Sequence, residues 1–373
     1  MEVPDPIALT RPTPFLLDAL EGLSKCYPCT PSLPRASHAP DCLTTPEGTA
    51  VDLVTIGAGR YQAKILTLGA SIIDLTVPVS GETRSVVLGL ANLADYPELG
   101  RHMGAVAGRC ANRIAGGKFR LDGMSYQLPL NEQGVTHLHG GMMGFGVRAW
   151  TIDAISHDSV RLSIESADGD EGYPGAVRAS CTYTLLPAGR LTIELGATTD
   201  APTLVNLATH SYFNLDGSET ILDHTLTIAA DRYTPVDARL IPTGEILPVE
   251  GTGFDFRKAA RIGANRAQTP DGFDHNLAVS MAPAPDPRFA ARLASTKGDL
   301  AMEIWSTEPG VQFYDGAYLP DTVALRGRRG NKHAGCCLEP QRFPDGVNHP
   351  NFPTTVLRPG ERYRQVTEYR FAI

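Results

Sequence analysis

Arg190-Leu191-Thr192-Ile193-Glu194-Leu195 alternates polar and apolar side chains at every position. Successive side chains of a β-strand point to opposite faces of a sheet, so this alternation predicts a strand with one buried face. Similar patterns recur at residues 51–56, 160–164 and 225–228. We therefore predict an all-β fold, a large antiparallel β-sandwich of many short strands.

Turn signals separate these segments, among them Asp122-Gly123, Asp216-Gly217 and Pro359-Gly360. After residue 50 the sequence has no long stretch with a sustained helical period and no glycine-rich phosphate loop. We predict that residues 46–373 form a single domain. The proline-rich residues 1–45 are predicted to be a poorly ordered N-terminal extension.

Charge and hydrophobicity exclude several classes of protein. The net charge of -8 gives no basic patch for nucleic acid. No apolar run approaches the roughly 20 residues of a membrane-spanning helix, and the N-terminus lacks a secretory signal. Seven scattered cysteines fit reduced thiols better than a disulfide framework. We expect a cytoplasmic protein, a monomer or weak dimer, without nucleic-acid or membrane partners.

A zinc site is one interpretation of Cys26, Cys29, His38 and Cys42, because their spacing allows four ligands around one ion. The surrounding sequence is rich in Pro and Ser and has no strong helix or strand pattern. Such spacings also occur by chance, so a poorly ordered segment without metal is the expected alternative.

Gly335-Cys336-Cys337-Leu338-Glu339-Pro340-Gln341 places a carboxylate directly after an apolar segment. A carboxylate at the end of a buried strand has restricted access to water, so its pKa can be tuned for proton transfer. A single Glu is more often a structural residue, and both readings stay open for Glu339. The two cysteines are predicted to be small buried residues that flank the strand.

His137 and His139 are two residues apart, so on a strand they would share a face. A metal pair, as in cupins, would also need a nearby carboxylate, and residues 140–147 contain none. A hydrogen-bonded core histidine fits His137 better than His139. Gly140-Gly141 predicts a close approach of the backbone to something small.

Further polar candidates lie in separate motifs: His210 within residues 206–215, Asn112 and Arg113 within 108–114, Asp274 within 272–276, and Gln312 within 309–314. Together with Glu339 they supply planar polar groups, a possible acid and a possible base, with aromatic neighbours. Such a set suits a polyhydroxylated ligand. The residues alone indicate a carbohydrate protein with possible acid–base catalysis.

Several ordered motifs resemble the aldose 1-epimerase family from about residue 50 to the C-terminus. They are residues 108–114, His137-Leu138-His139-Gly140-Gly141, Asp170-Glu171-Gly172-Tyr173-Pro174-Gly175, 206–217, 241–245, 272–276, 311–314 and 337–341. The resemblance implies a β-supersandwich with an open sugar-binding cleft, no cofactor and no metal. It implies an isomerase that interconverts the α and β anomers of free hexoses such as D-galactose and D-glucose.

The resemblance also implies a role for each candidate residue. Glu339 matches the catalytic base, His210 the catalytic acid and His139 a second histidine that polarises the ring region. The matches to residues that hold sugar hydroxyls are Asn112, Arg113, Asp274 and Gln312. This chemistry asks for an ionised Glu339 and for a His210 that can be protonated near neutral pH.

Three alternatives remain from the sequence: a hexose-6-phosphate 1-epimerase, a catalytically silent sugar-binding or regulatory protein on the same fold, and a metal-dependent cupin-like enzyme. Asp315 departs from the family pattern, in which we expect a small hydroxyl residue. That difference alters either the sugar preference or only the structure of a loop.

Overall fold

The computed structural model describes residues 43–100, 102–269 and 271–373. Strands dominate this part of the chain, and in chain order they begin with β1 (Leu53–Ala58), β2 (Tyr61–Leu66), β3 (Ser71–Val79), β4 (Glu82–Ser85), β5 (Val106–Ala107), β6 (Arg113–Ile114), β7 (Lys118–Leu121), β8 (Met124–Gln127), β9 (His137–Leu138), β10 (Thr151–Ile155), β11 (Ser159–Ser166), β12 (Val177–Leu186), β13 (Arg190–Thr199), β14 (Thr203–Leu204) and β15 (Ala208–Thr209). The second half contains β16 (Tyr212–Phe213), β17 (Thr225–Ile228), β18 (Arg232–Thr234), β19 (Leu247–Pro248), β20 (Ala260–Arg261), β21 (Asp274–Ala278), β22 (Arg288–Ala294), β23 (Ala301–Ser306), β24 (Gly310–Tyr314), β25 (Ala324–Leu325), β26 (Arg328–Arg329), β27 (Cys336–Gln341), β28 (Val356–Leu357) and β29 (Tyr363–Ala372).

Helices are short. The α-helix α1 spans Ile262–Arg266. A π-helical turn covers Tyr96–Gly100, and 3-10 turns cover Leu93–Asp95, Ala115–Gly117, Phe145–Val147, Asp170–Gly172 and Gly346–Asn348. No helix among the described residues is long and apolar enough to cross a membrane.

The strands form three larger antiparallel sheets. The first has the order β1-β2-β3-β4, and the second has nine strands in the order β10-β11-β12-β13-β29-β23-β22-β17-β20. The third has six strands in the order β16-β27-β24-β21-β18-β19. In the nine-stranded sheet β12 and β13 pair over ten residues each, from Val177↔Thr199 to Leu186↔Arg190.

The predicted alternation positions the main hydrophobic core. On β13, Leu191, Ile193 and Leu195 are buried while the polar residues between them are partly exposed. They belong to one cluster that also contains side chains of the six-stranded sheet, such as Phe313 and Phe213. Side chains from both sheets therefore share one apolar interior, as in a sandwich.

The contact between the two sheets includes aromatic and polar groups. Phe213 on β16 packs edge-on against Tyr369 on β29, with ring centroids 5.1 Å apart. The Tyr369 hydroxyl lies 2.9 Å from the hydroxyl of Thr209. This hydrogen bond satisfies the polar end of a fully buried ring.

The prediction of an all-β antiparallel sandwich is confirmed. The candidate zinc ligands Cys26, Cys29, His38 and Cys42 lie outside the described residues, as does most of the predicted extension. The described chain begins at Leu43, which packs against a second hydrophobic cluster that contains Val51 and Leu66.

Candidate active site

One face of the six-stranded sheet carries a row of polar residues. In the register of β27, β24 and β21, Glu339 lies opposite Gln312, and Gln312 lies opposite Asn276. Two residues away on each strand, Cys337 lies opposite Tyr314, and Tyr314 lies opposite Asp274. Their sequence neighbours Leu338, Phe313 and Leu277 are part of the main core. Period-two alternation therefore directs the polar set to the face away from the core.

Glu339 is 3% exposed, with every residue of β27 buried around it. Burial raises the pKa of the Glu339 carboxyl well above its ordinary value, and the nearby Asp274 carboxylate raises it further. The Arg113 guanidinium acts in the opposite direction. The carboxyl thus has the restricted access to water that the sequence predicts for it.

His210 lies between β15 and β16 and is 7% exposed. Its backbone N–H donates to Ala105 O at 2.8 Å, and its carbonyl accepts from Gly104 N–H at 2.9 Å. Nε2 of the ring lies 3.9 Å from Glu339 Oε1, and Nδ1 lies 3.4 Å from Cys337 Sγ. Burial lowers the pKa of His210 to about 4.

These pKa directions differ from the sequence expectation of an ionised Glu339 and a His210 that is readily protonated. Burial in a low-dielectric site disfavours the charged form of each group, so it raises the pKa of Glu339 and lowers the pKa of His210. The pair therefore retains one proton between them over a wide range of pH.

His139 takes part in a group of three imidazoles in contact, with tilted and edge-on ring pairs. Its ring centroid is 4.5 Å from that of His102 and 5.2 Å from that of His210. The backbone N–H of Asn112 donates to His139 Nδ1 at 3.1 Å. Since burial also lowers the pKa of His139 well below its ordinary value, the ring is neutral and carries its hydrogen on Nε2.

His137 has different surroundings from His139. Its Nε2 lies 2.8 Å from the Tyr173 hydroxyl, and its Nδ1 lies 2.8 Å from Pro129 O. The strand β9 ends at Leu138, and the φ of 51° at His139 interrupts the alternation that predicted a shared face. His137 is therefore a hydrogen-bonded core histidine, the reading favoured from the sequence, whereas the ring of His139 contacts those of His102 and His210.

The glycines after His139 permit a close approach between backbones. A Cβ atom at Gly140 would lie 1.8 Å from Gly108 O, and one at Gly141 would lie 2.0 Å from a Glu171 carboxylate oxygen. Glu171 accepts hydrogen bonds from the backbone N–H groups of Met142 and Met143. The predicted close approach is thus to the protein's own loops, which hold the segment behind His139.

Arg113 links the loops to the sheet. Its guanidinium makes two hydrogen bonds of 2.8 Å to the Glu132 carboxylate, and Nη1 lies 3.3 Å from Asp274 Oδ2. The other Asp274 oxygen accepts a 2.6 Å hydrogen bond from Gln312 Nε2. Asn112 adjoins this network, because its Oδ1 accepts from the Arg113 backbone N–H. The four predicted hydroxyl-binding residues therefore lie together.

Sequence reasoning missed several residues of the site, among them His102, Glu132 and Cys337. Glu132, which orients the Arg113 guanidinium, is in a polar turn with no motif to distinguish it. Cys337 was predicted to be only a buried flanking residue, and it is indeed fully buried, but its sulfur faces His210. Its position two residues before Glu339 on one strand was the signal that could have found it.

Asp315 is fully buried and contacts loops. Its Oδ2 lies 3.0 Å from Arg266 Nε, its Oδ1 accepts from the Ala317 backbone N–H, and its own N–H donates to Phe273 O. These contacts connect the end of β24 to the segment that precedes Asp274. The sequence left open whether Asp315 alters the sugar preference or only the structure of a loop. These contacts favour an effect on loop structure.

The candidate acid and base belong to a group of side chains whose spacing would allow them to hold a metal ion. Within residues 43–100, 102–269 and 271–373, His210, Cys337 and Glu339 form the one group of such side chains whose ligand atoms all lie within 4.8 Å of one another. His137 and His139, the pair of the cupin-like alternative, are not in this group. The absence of metal in the working enzyme stays a prediction.

Known proteins resemble this chain over most of its length. The sequence profile of the aldose 1-epimerase family matches residues 52–370. Galactose mutarotase from Rattus norvegicus is 43% identical over 333 residues, which cover 87% of this chain and 95% of the relative. Galactose mutarotase from Homo sapiens is 42% identical over the same shares. The crystal structure of a GalM/aldose epimerase homologue from C. elegans has a TM-score of 0.81 and 31% identity, covering 87% of this chain and 99% of that one.

These relatives show that the protein is an epimerase, an enzyme of the isomerase class. The chain belongs to the aldose 1-epimerase family. The resemblance and the activity predicted from the ordered motifs are thereby confirmed. The residue roles that the resemblance implies stay predictions.

Proposed function

We propose that this enzyme interconverts the α and β anomers of free aldoses, with D-galactose as the first substrate to test and D-glucose as the second. The observation that carries the proposal is the buried pair of His210 Nε2 and Glu339 Oε1, which face each other across 3.9 Å. The names of the mammalian relatives support galactose as the sugar. Opening and closing a hemiacetal ring needs one acid and one base, and this pair supplies both.

In the proposed mechanism Glu339 removes the proton from the anomeric hydroxyl while His210 donates a proton to the ring oxygen. The bond between C1 and the ring oxygen breaks, and C1 becomes the free aldehyde. Rotation about the C1–C2 bond presents the other carbonyl face. The reverse transfers then close the ring, so the enzyme regains its starting protonation state without a net change of protons.

One shared proton is enough to generate both reactive groups. Burial favours the neutral carboxyl and the neutral imidazole, so at rest the proton lies on Glu339. Its transfer to His210 produces the carboxylate base and the imidazolium acid in one step. Arg113 supports this state, since its charge lowers the pKa of Glu339.

The remaining residues are proposed to hold the sugar. Arg113, Asp274 and Gln312 form a hydrogen-bonded row beside Glu339 and can exchange some of these bonds for sugar hydroxyls. Asn112 supports the row from the side. His139, neutral with its hydrogen on Nε2, is suited to donate a hydrogen bond near the ring oxygen.

Polarimetry tests this function directly. We expect the enzyme to accelerate the change in optical rotation of freshly dissolved α-D-galactose, and also that of α-D-glucose. A silent sugar-binding protein would bind the sugar in calorimetry without accelerating the change. Acceleration only with a hexose 6-phosphate would establish the phosphorylated alternative, which the site disfavours because Arg113 is already paired with two carboxylates.

The pH dependence should show a broad plateau. The pair carries two protons below the His210 pKa of about 4 and none above the raised pKa of Glu339, and neither state can catalyse. We therefore expect kcat/KM to fall on the acid side near pH 4 and to fall again only well above the ordinary carboxyl range. Circular dichroism at each pH controls for unfolding. An acid limb at the ordinary histidine value near 6.5 would contradict the plateau.

We also propose cytoplasmic action, a monomer or weak dimer, and a single domain from residue 46 to 373. The four cysteines in the part of the chain that the structure describes, Cys110, Cys181, Cys336 and Cys337, are free and buried, which supports a reducing compartment. The family profile, which spans residues 52–370, supports the domain boundary.

A further inference from the structure

The imidazole of His210 lies beside two side chains of β27, those of Cys337 and Glu339. Cys337 and Glu339 are two residues apart on β27, so they share the polar face of the sheet. Nδ1 faces the sulfur at 3.4 Å, and Nε2 faces the carboxylate at 3.9 Å. Each nitrogen of the ring therefore has one partner, and the partner of Nδ1 decides which nitrogen carries the hydrogen.

Cys337 is placed to accept a hydrogen bond at this position. Its side chain is 0% exposed, and burial, together with the Glu339 carboxylate, raises the pKa of the thiol well above its ordinary value. The sulfur of a thiol can accept a hydrogen bond without placing a charge beside the ring. Tyr212 lies opposite Cys337 in the register of β16 and β27, and its ring packs 5.1 Å from that of His210. The ring and the thiol are therefore held in fixed relative positions.

We propose that Cys337 is a positioning residue whose sulfur accepts a hydrogen bond from His210 Nδ1–H and so holds the hydrogen of the neutral imidazole on Nδ1, which leaves Nε2 free to exchange a proton. This assignment rests on the proposed role of His210 as the acid, because Nε2 is the nitrogen that faces Glu339 and the sugar. When His210 becomes cationic, Nε2 gains the proton, and Nδ1–H keeps its hydrogen bond to the sulfur. The thiol can serve both protonation states of the ring.

Substitution of Cys337 separates this role from simple packing. Cys337→Ser keeps a hydroxyl donor and acceptor, so we expect turnover within about 3-fold of wild type. Cys337→Ala removes the partner of Nδ1, and we expect kcat to fall by about 10-fold to 100-fold, with KM changed by less than about 3-fold. Equal losses in both variants, or no loss in Cys337→Ala, would overturn the proposal.

Cys336→Ala is the matched control. Cys336 is the adjacent residue of β27, is equally buried, and belongs to the hydrophobic core on the other face. It loses the same atoms in the same strand, so a packing defect should appear as a lower melting temperature. We expect kcat within about 2-fold of wild type for this variant, because it leaves His210 untouched.

Nitrogen-15 NMR reads the position of the hydrogen independently of activity. Protein labelled at its ten histidines would be compared with His210→Asn to identify the His210 signals. We expect a protonated Nδ1 and a bare Nε2 in wild type and Cys337→Ser, and a mixture of the two tautomers in Cys337→Ala. A bare Nδ1 with a protonated Nε2 in neutral wild type would overturn the proposal. Full turnover by His210→Asn would instead refute the acid role and leave the tautomer result intact.

Discussion

Glu339→Gln should reduce turnover by about 10²-fold to 10⁴-fold while sugar binding is largely kept. The amide has the shape of the carboxyl and can still contact hydroxyl groups, but it cannot accept the anomeric proton. Polarimetry measures the turnover, and calorimetry with D-galactose measures the binding. Wild-type turnover in this variant would rule out Glu339 as the base.

The same substitution should not weaken the fold. Burial raises the pKa of Glu339, which means that folding disfavours the charged form of this side chain. A neutral amide does not have this cost in the free energy of folding. We expect an unchanged or higher melting temperature, which separates loss of chemistry from loss of structure. Glu308→Gln is the matched control, because Glu308 is also buried and burial raises its pKa to about 7. That variant should turn over sugar at close to the wild-type rate.

His210→Asn should cause a loss of similar size, about 10²-fold to 10⁴-fold in kcat. The shorter amide can still lie beside Cys337, but no titratable nitrogen then faces Glu339. Added imidazole should restore part of the activity by occupying the space that the ring leaves. The measurement is the polarimetric rate with and without imidazole, corrected for the rate that imidazole produces alone.

A control for this variant is His224→Gln. His224 is fully buried in another part of the chain, where its Nε2 accepts the Leu215 backbone N–H at 3.0 Å. The glutamine oxygen can take over that hydrogen bond, so activity should persist. Comparable losses in both variants would mean that histidine replacement damages the fold, and the acid role of His210 would lose its support.

Local pattern predicted the strands but not their partners. On β27, Leu338 belongs to the hydrophobic core and Glu339 lies on the other face, as period-two alternation requires. The neighbours of β27 are β16, which lies far away in the sequence, and β24, which is separated from it by β25 and β26. Nothing in a local period specifies such pairing, so the sequence identified the polar residues one motif at a time without their distances.

The largest errors arose where the backbone departs from regular structure. The positive φ at His139 separates it from His137, which period-two reasoning had placed on the same face. The pKa directions of Glu339 and His210 also differ from those expected from the sequence, because the depth of burial of these two residues is a property of the whole fold. Family motifs supplied the roles that local physical reasoning left open.

The contacts of this site form between segments that are far apart in the sequence, so activity depends on completion of the fold. Arg113 meets Asp274 across 161 residues of chain, and His210 meets Cys337 across 127. Closing such long loops has a large entropic cost and belongs to the slow part of assembling a β-rich fold. During refolding, hairpins form between segments that are neighbours in sequence. Most of them can therefore be recovered before enzymatic activity returns. Catalysis begins only when the distant segments have met.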